Sequence, residues 1–184
     1  VLTQRPSLSL LSGRLKTASK ATDLKTPVAN AIGVEAASIK ADFHNVEHHQ
    51  AHMASAFMVS PFEEAASLSI DGMGDFVSTM TGIGRGNQME VKESVHFPHS
   101  LGYFYTMVTQ WLGFPKYGDE GKVMGLAPYG TPRHMDKMAE ILRLQKNGFF
   151  ELNLDYFTTF ADGDLMKWEG GSPTIPLLFS NKLV

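Results

Sequence analysis

Glu47-His48-His49-Gln50-Ala51-His52-Met53-Ala54-Ser55-Ala56-Phe57 decides how this chain is read. From about His48 to Val59 the composition favours a helix. Pro61 stops it, because proline lacks an amide hydrogen and clashes with the turn before it. Ala51, Ala54, Ser55 and Ala56 are small, so the helix can lie very close to a neighbouring sheet. That sheet follows at once. Glu64 to Asp71 reads as a buried strand carrying Ala65, Ala66, Leu68 and Ile70. Phe76 to Gly84 sets Phe76, Ser78, Met80 and Gly82 against Val77, Thr79, Thr81 and Ile83, the period-two pattern of a strand. Arg85-Gly86-Asn87 is a turn, and Gln88 to Val95 is a third strand. The fold class is therefore α/β, with flanking helices and a three-stranded antiparallel meander whose first connection carries Asp71-Gly72-Met73-Gly74-Asp75.

Upstream the pattern weakens. Leu8, Leu10, Leu11 and Leu15 give one face of a short helix, followed by Lys16, Lys20 and Lys25 and broken by Pro27. A surface helix or loose connection is one reading; a basic anion-binding arm is the other. Residues 31–42 read as a short helix through Ala31, Ile32, Val34, Ala36 and Ala37. Downstream, Ser100 is an N-cap for an apolar helix from Leu101 to Leu112, and Gly113 ends it. Residues 117–130 hold four glycines, which predicts a structured loop with about one helical turn. Thr131-Pro132 opens a helix to about Gln145, Phe149 to Leu154 is a short strand, and the chain is irregular beyond Thr158.

Composition narrows the function. A hydrophobic fraction of 43% and a charged fraction of 19% are those of a soluble globular domain, or of a piece of a larger one. A net charge of -3 provides no general attraction to nucleic acid or an anionic membrane. The chain has no cysteine, which excludes disulfides and thiolate metal sites and agrees with a cytoplasmic location. No apolar run approaches the roughly 18 residues needed to cross a bilayer. Val1-Leu2-Thr3-Gln4-Arg5-Pro6 is not a signal peptide, and without an initiator Met the chain is expected to be a fragment or processed.

The chemistry begins with His48 and His52. Four residues apart on a helix, they share one face at about 6 Å along the axis. Two neutral imidazoles so placed can hold one divalent metal, each with a nitrogen at roughly 2.0–2.1 Å. The bland reading is a polar helix start with solvent-exposed histidines. His49 points about 100° away from the pair. The zinc-protease pattern His-Glu-x-x-His is absent, since His49 occupies the Glu position.

Asp71 ends an apolar strand, which delivers its carboxylate at a fixed place. Two imidazoles and a carboxylate suit iron(II), manganese or zinc, with positions left open for a ligand. Gly72 and Gly74 permit positive φ and let phosphate oxygens approach backbone N–H groups. The bland reading of this segment is a plain hairpin turn, with Asp75 a turn residue. Lys122, beside Asp119 and Glu120 in the Gly-rich loop, either contacts a phosphate or pairs with a neighbouring acid. His96 and His99 either line the same cleft or cap local structure. The methionines read as core filling.

Four ordered motifs carry a resemblance. They are Glu47 to Phe57; Ser69 to Asp75; Phe97-Pro98-His99-Ser100-Leu101-Gly102-Tyr103-Phe104-Tyr105; and Gly118-Asp119-Glu120-Gly121-Lys122-Val123-Met124-Gly125-Leu126-Ala127-Pro128-Tyr129-Gly130. Together they resemble the O-carbamoyltransferases, which include nodulation-factor and antibiotic carbamoyltransferases. The resemblance is dense over 43–130, within an expected partial N-terminal carbamoyltransferase domain spanning 1–184. It implies an actin-like ATPase fold with RNase H-like halves, related to the tRNA threonylcarbamoyl-transferring enzymes. It further implies that a C-terminal domain makes carbamoyl-adenylate from carbamoyl phosphate and ATP, and that the N-terminal domain passes the carbamoyl group to a hydroxyl of a small molecule or saccharide.

On the family pattern, His48, His52 and Asp71 are metal ligands, with iron(II) the expected ion. Gly72, Gly74 and Lys122 lie toward the phosphate of ATP or the adenylate. No residue is assigned a catalytic role, and the resemblance admits a homodimer. The family's opening strand and phosphate turn are not recognisable in residues 1–40, and a further aspartate ligand is expected downstream of residue 184. The chain is thus expected to be a fragment that is inactive by itself, lacking the adenylate-forming domain. The competing functions are a non-catalytic metal- or nucleotide-binding module, and another actin-fold ATPase or metallohydrolase.

Overall fold

The computed structural model describes residues 24–158, 166–169 and 171–184. The Leu8–Leu15 helix expected from the sequence lies outside them. The described residues belong to two compact units, 24–46 and the remainder from Glu47 onward.

In the first unit, helix α1 (Lys25–Ile32) ends at Gly33, which adopts φ 73°. A side chain is strained in that left-handed region, so glycine is the economical stop. The helix expected over 31–42 is therefore misplaced. α1 starts earlier, and only a single 3-10 turn, Ala36–Ser38, follows Gly33.

In the second unit, α2 (His48–Phe57) is followed by β1 (Glu64–Gly74), β2 (Val77–Arg85) and β3 (Gln88–His96). The three strands form the expected antiparallel meander in the order β1-β2-β3. Leu68 pairs with Thr81 and Ile70 with Thr79, but both side chains are exposed, so β1 is not the buried strand read from the sequence. β1 runs beyond Asp71, so Asp-Gly-Met-Gly belongs to an irregular strand end rather than to the connection. The turn itself is Asp75-Phe76, both at positive φ (49° and 66°), between the paired residues Gly74 and Val77. Two consecutive left-handed residues give the tight hairpin geometry whose twist matches that of the strands.

One sheet face is built for the helix above it. Met53 packs with Val77, Met80 and the partly buried Met89. Gly82 and Gly84 leave room for α2: a β-carbon at 84 would lie 2.5 Å from the Phe57 ring.

A second core forms around α3 (Leu101–Trp111), where Met107 joins Ile141, Leu152, Phe157 and Leu178. The Ser100 hydroxyl accepts from the Tyr103 amide at 3.1 Å, the expected N-cap, and Gly113 takes φ 93° just past the helix. Buried Gln110 fastens the last segment to α3. Its amide donates to the Pro176 carbonyl at 3.0 Å and accepts from the Leu178 N–H at 2.8 Å.

The Gly-rich stretch is more helical than expected, with α4 (Glu120–Leu126) and a 3-10 turn, Ala127–Tyr129. The helix expected from Thr131 to Gln145 is cut to α5 (Met135–Ile141). Leu142-Arg143-Leu144 instead forms β4, paired with β5 (Phe150–Leu152) across a turn containing Gly148 at φ 84°. Asn147-Gly148 is the hairpin signal that helix propensity obscured. A further small pairing, β6 (Lys167–Glu169) with β7 (Ser172–Thr174), lies in the region read as irregular.

Candidate metal centre

The helix and the strand end meet where the sequence placed its three candidate ligands. His48 Nε2 lies 2.9 Å from Asp71 Oδ2 and 2.9 Å from His52 Nε2. His52 Nε2 is 3.7 Å from the same carboxylate oxygen. Among the described residues, these three side chains offer donor atoms that all lie within 4.8 Å of one another. His48 and Asp71 are about two-fifths exposed and His52 half exposed, so the cluster opens to solvent on one side.

The donor set fits a cation better than it fits a hydrogen-bond network. A proton on His48 Nε2 aimed at Asp71 leaves no lone pair on that nitrogen for His52. If both Nε2 atoms are unprotonated, two lone pairs and a carboxylate face a common point. One ion relieves that repulsion. Donors about 2.0–2.1 Å from a metal are about 2.9 Å apart at right angles and about 3.3 Å apart at tetrahedral angles. The observed 2.9, 2.9 and 3.7 Å bracket this range.

The backbone around the cluster is held tightly. Glu47 is the N-cap of α2, its Oε2 accepting from the Gln50 amide at 2.6 Å. Asp75 Oδ2 accepts from the His48 amide at 3.0 Å. Two carboxylates on the first-turn amides satisfy donors that the helix cannot, at its positive end. Asp75 is thus a turn residue that also anchors the helix bearing His48. On the strand side, the Ser100 hydroxyl donates to the Gly72 carbonyl at 2.7 Å while capping α3. Gly102 lies against the same peptide; a β-carbon there would come within 2.7 Å of Gly72 Cα and 3.0 Å of the Asp71 carbonyl oxygen.

Burial alone would raise the Asp71 carboxyl above its usual range. Hydrogen bonds from His48 and the Gly72 amide, with the nearby charges of His48 and His52, outweigh it and lower it overall. Burial, helped by the Asp71 charge, pushes the Tyr103 phenol up to about 12.

Gly72 and Gly74 are placed differently from expectation. Neither adopts positive φ. The Gly72 N–H is turned onto Asp71 Oδ1 at 2.6 Å. At Gly74 a β-carbon would lie 2.1 Å from the His48 ring. Gly74 therefore makes room for the His48 ring, whereas a β-carbon at Gly72 would meet only Tyr103, at an ordinary 3.9 Å. Lys122 pairs with Asp119 at 2.6 Å and lies over the Phe114 ring, 5.9 Å from its centroid. Buried Asp119 also accepts from the Lys116 amide at 2.9 Å. The Lys122 and Lys116 hydrogen bonds hold its carboxyl below the usual range, against the effect of burial. Among the described residues no ion pair or hydrogen bond joins Lys122 to His48, His52 or Asp71.

Two residues carry more of the arrangement than the sequence signalled. His49 is fully buried, with Ser69 Oγ at 2.8 Å from Nδ1 and the Val77 carbonyl at 2.8 Å from Nε2. His99 Nδ1 accepts from the Leu152 amide at 3.1 Å, tying the lead-in of α3 to β5. His96 ends β3 opposite Val77.

The family model described as "Carbamoyltransferase N-terminus" matches residues 19–169. The chain belongs to the carbamoyltransferase family. The match covers most of the sequence, including every residue of the candidate centre. It is 48% identical over 118 residues to an uncharacterized protein of Synechocystis sp., covering 64% of this chain and 19% of that protein. It is 41% identical over 135 residues to Nodulation protein NolNO of Sinorhizobium fredii, covering 72% of this chain and 19% of the relative. Nodulation protein NolO of Bradyrhizobium diazoefficiens is 41% identical over 113 residues, covering 60% of this chain and 20% of the relative. The chain thus spans about a fifth of the length of these curated relatives. No helix among the described residues is long and apolar enough to cross a membrane.

Proposed function

We propose that the whole protein is an O-carbamoyltransferase and that this chain supplies the metal-holding side of its transfer site. The donor is carbamoyl phosphate, activated with ATP to carbamoyl-adenylate by a C-terminal domain of the whole protein. The acceptor is a hydroxyl of a small molecule or saccharide. Family membership supports the reaction class. The observation that carries the site is the convergence of His48 Nε2, His52 Nε2 and Asp71 Oδ2.

His48, His52 and Asp71 would hold the ion, for which iron(II) is our reading, leaving open positions on the exposed side. When bound, the ion supplies Lewis acidity that polarises a carbonyl oxygen. α2 presents the two imidazoles from one face, and the strand end presents the carboxylate whose negative charge offsets part of the cation's. Gly72 adds no side chain beside the ligands, which favours the close approach of a phosphate, while the space beside Gly74 is taken by the His48 ring. Lys122 would have to leave Asp119 to reach that phosphate. The three-stranded meander leading into α3 is compatible with the actin-like, RNase H-like architecture, and we place the protein in the cytoplasm.

The test is carbamoyl-phosphate-dependent ATP–pyrophosphate exchange by the whole protein supplied with iron(II), followed by transfer to a hydroxyl acceptor. Exchange that requires carbamoyl phosphate, with transfer lost in His52→Ala, is the expected outcome. No exchange with iron present contradicts the carbamoyltransferase reading.

A further inference from the structure

The face of α2 beside its ligands holds a buried polar group for which the proposed chemistry has no use: the His49 ring centroid is 5.2 Å from that of His48 and 6.1 Å from that of His52. His49 is the fully buried ring of the His-rich stretch, and both its nitrogens are engaged. The Val77 carbonyl can only accept, so Nε2 donates to it. In the neutral ring Nδ1 then accepts from the Ser69 hydroxyl. One side chain therefore reaches two strands. Ser69 is on β1, two residues before Asp71. Val77 opens β2, directly after the Asp75-Phe76 turn.

The Asp75 carboxylate on the His48 amide, at 3.0 Å, holds the first turn at a backbone atom close to the helix axis, where it has little leverage on rotation, and the remaining contacts under α2 are apolar. Met53 is a flexible side chain, and Phe57 lies flat on Gly84. Apolar contacts of this kind are non-directional, so a helix lying on small residues can roll at little cost. Hydrogen bonds depend on angle and do resist rolling. The lever is long: a roll of about 10° moves an atom about 6 Å from the helix axis by about 1 Å. Metal sites require ligand distances within about 0.2 Å. His48 is the next residue back along α2 and His52 is three residues on, so both follow any roll that His49 permits.

We propose that His49, through Ser69 and Val77, is a positioning residue that fixes the roll of α2 and aims His48 and His52 at Asp71. The inference rests on the reading of those three residues as metal ligands. Ser69 is its partner on the strand that also carries Asp71, so helix and carboxylate are referenced to one piece of backbone.

The test uses the intact protein with Co(II) as probe, reading the visible ligand-field spectrum and the affinity from competition with a chelator, alongside thermal unfolding of the metal-free protein. His49→Phe keeps the volume and loses both bonds. His49→Gln keeps an N–H that can reach the Val77 carbonyl. Ser69→Ala removes the other partner. We expect His49→Phe to lower Co(II) affinity by about tenfold to a hundredfold and to change the band shape, as losses of groups that orient metal ligands do. His49→Gln recovers most of the wild-type spectrum, and Ser69→Ala falls between. A lower melting temperature with wild-type Co(II) affinity and band shape in these variants would show a purely structural role and overturn the inference. If His49→Phe does not fold, Ser69→Ala and His49→Gln decide it by the same two readouts. A wild-type protein that binds no Co(II) overturns the metal reading itself, and the two failures are distinguished because that one shows in the unmutated protein.

Discussion

Gly74 lies flush against the ring of His48: a β-carbon at position 74 would be 2.1 Å from Cδ2 and 2.7 Å from Cβ of that histidine. This makes Gly74 a direct constraint on a candidate metal ligand. The obstructing atoms include His48 Cβ, which is fixed to the helix backbone, so the ring cannot relieve the clash by rotating and α2 must shift. Gly74→Ala is therefore expected to cost about 1–3 kcal/mol of stability. Metal affinity should fall by about tenfold or more, because the displaced ring no longer faces Asp71. Urea denaturation and a metal-competition titration on the same samples separate the two effects. Equal affinity in the variant would show that the His48 ring position does not matter.

Gly102 presents a second tight position. A β-carbon there would meet backbone, at 2.7 Å from Gly72 Cα and 2.8 Å from Gly72 N, and backbone cannot swing aside. Gly102→Ala should destabilise the protein by about 1–3 kcal/mol, since helix α3 must lift off the strand end that carries Asp71. Gly125, inside α4 with open space where a β-carbon would stand, should behave in the opposite sense. Gly125→Ala is expected to stabilise by about 0.5–1 kcal/mol. Chemical denaturation midpoints at equal slope test both signs.

His99 gives the fold a pH dependence away from the candidate ligands. Burial holds its imidazole below the usual value of 6.5, with Glu151 partly offsetting the shift. The neutral ring accepts from the Leu152 amide, and a protonated Nδ1 cannot. A depressed pKa means that the folded state favours the neutral form. The stabilisation is thus complete above about pH 6.5 and is lost as pH falls from there through the lower folded-state value. The loss should be about 1 kcal/mol, the cost of one buried amide left without its acceptor. His99→Asn, whose side-chain oxygen can accept without titrating, should flatten this limb of the stability–pH curve. An unchanged limb would assign the pH dependence to other groups.

Much of the second unit was legible in the sequence because its signals are local. Small residues and Pro61 defined α2, alternation defined β2, and Ser100 and Gly113 defined the ends of α3. The candidate ligands were legible for the same reason, since helical spacing puts His48 and His52 on one face and an apolar run ends at Asp71. What escaped was set by contacts distant in sequence. Nothing near His49 shows that Ser69 and Val77 will receive it. Gly74 reads as a turn glycine, yet its neighbour is the His48 ring, so close packing rather than positive φ demands it. Leu142 to Leu144 carry good helix formers, but they pair with Phe150 to Leu152, a partner that local propensity does not reveal. The turn residues Asp75 and Phe76 are not glycines, so the sequence pattern moved the turn upstream.

In the proposed function His48, His52 and Asp71 hold a divalent ion together. Metal content of the intact protein, measured per chain by mass spectrometry after anaerobic loading with iron(II) and removal of free ion, tests it most directly. One ion per chain is expected in the wild type, and almost none in His48→Ala, His52→Ala or Asp71→Asn proteins that retain the wild-type fold by circular dichroism. Wild-type metal content in those folded variants would contradict it.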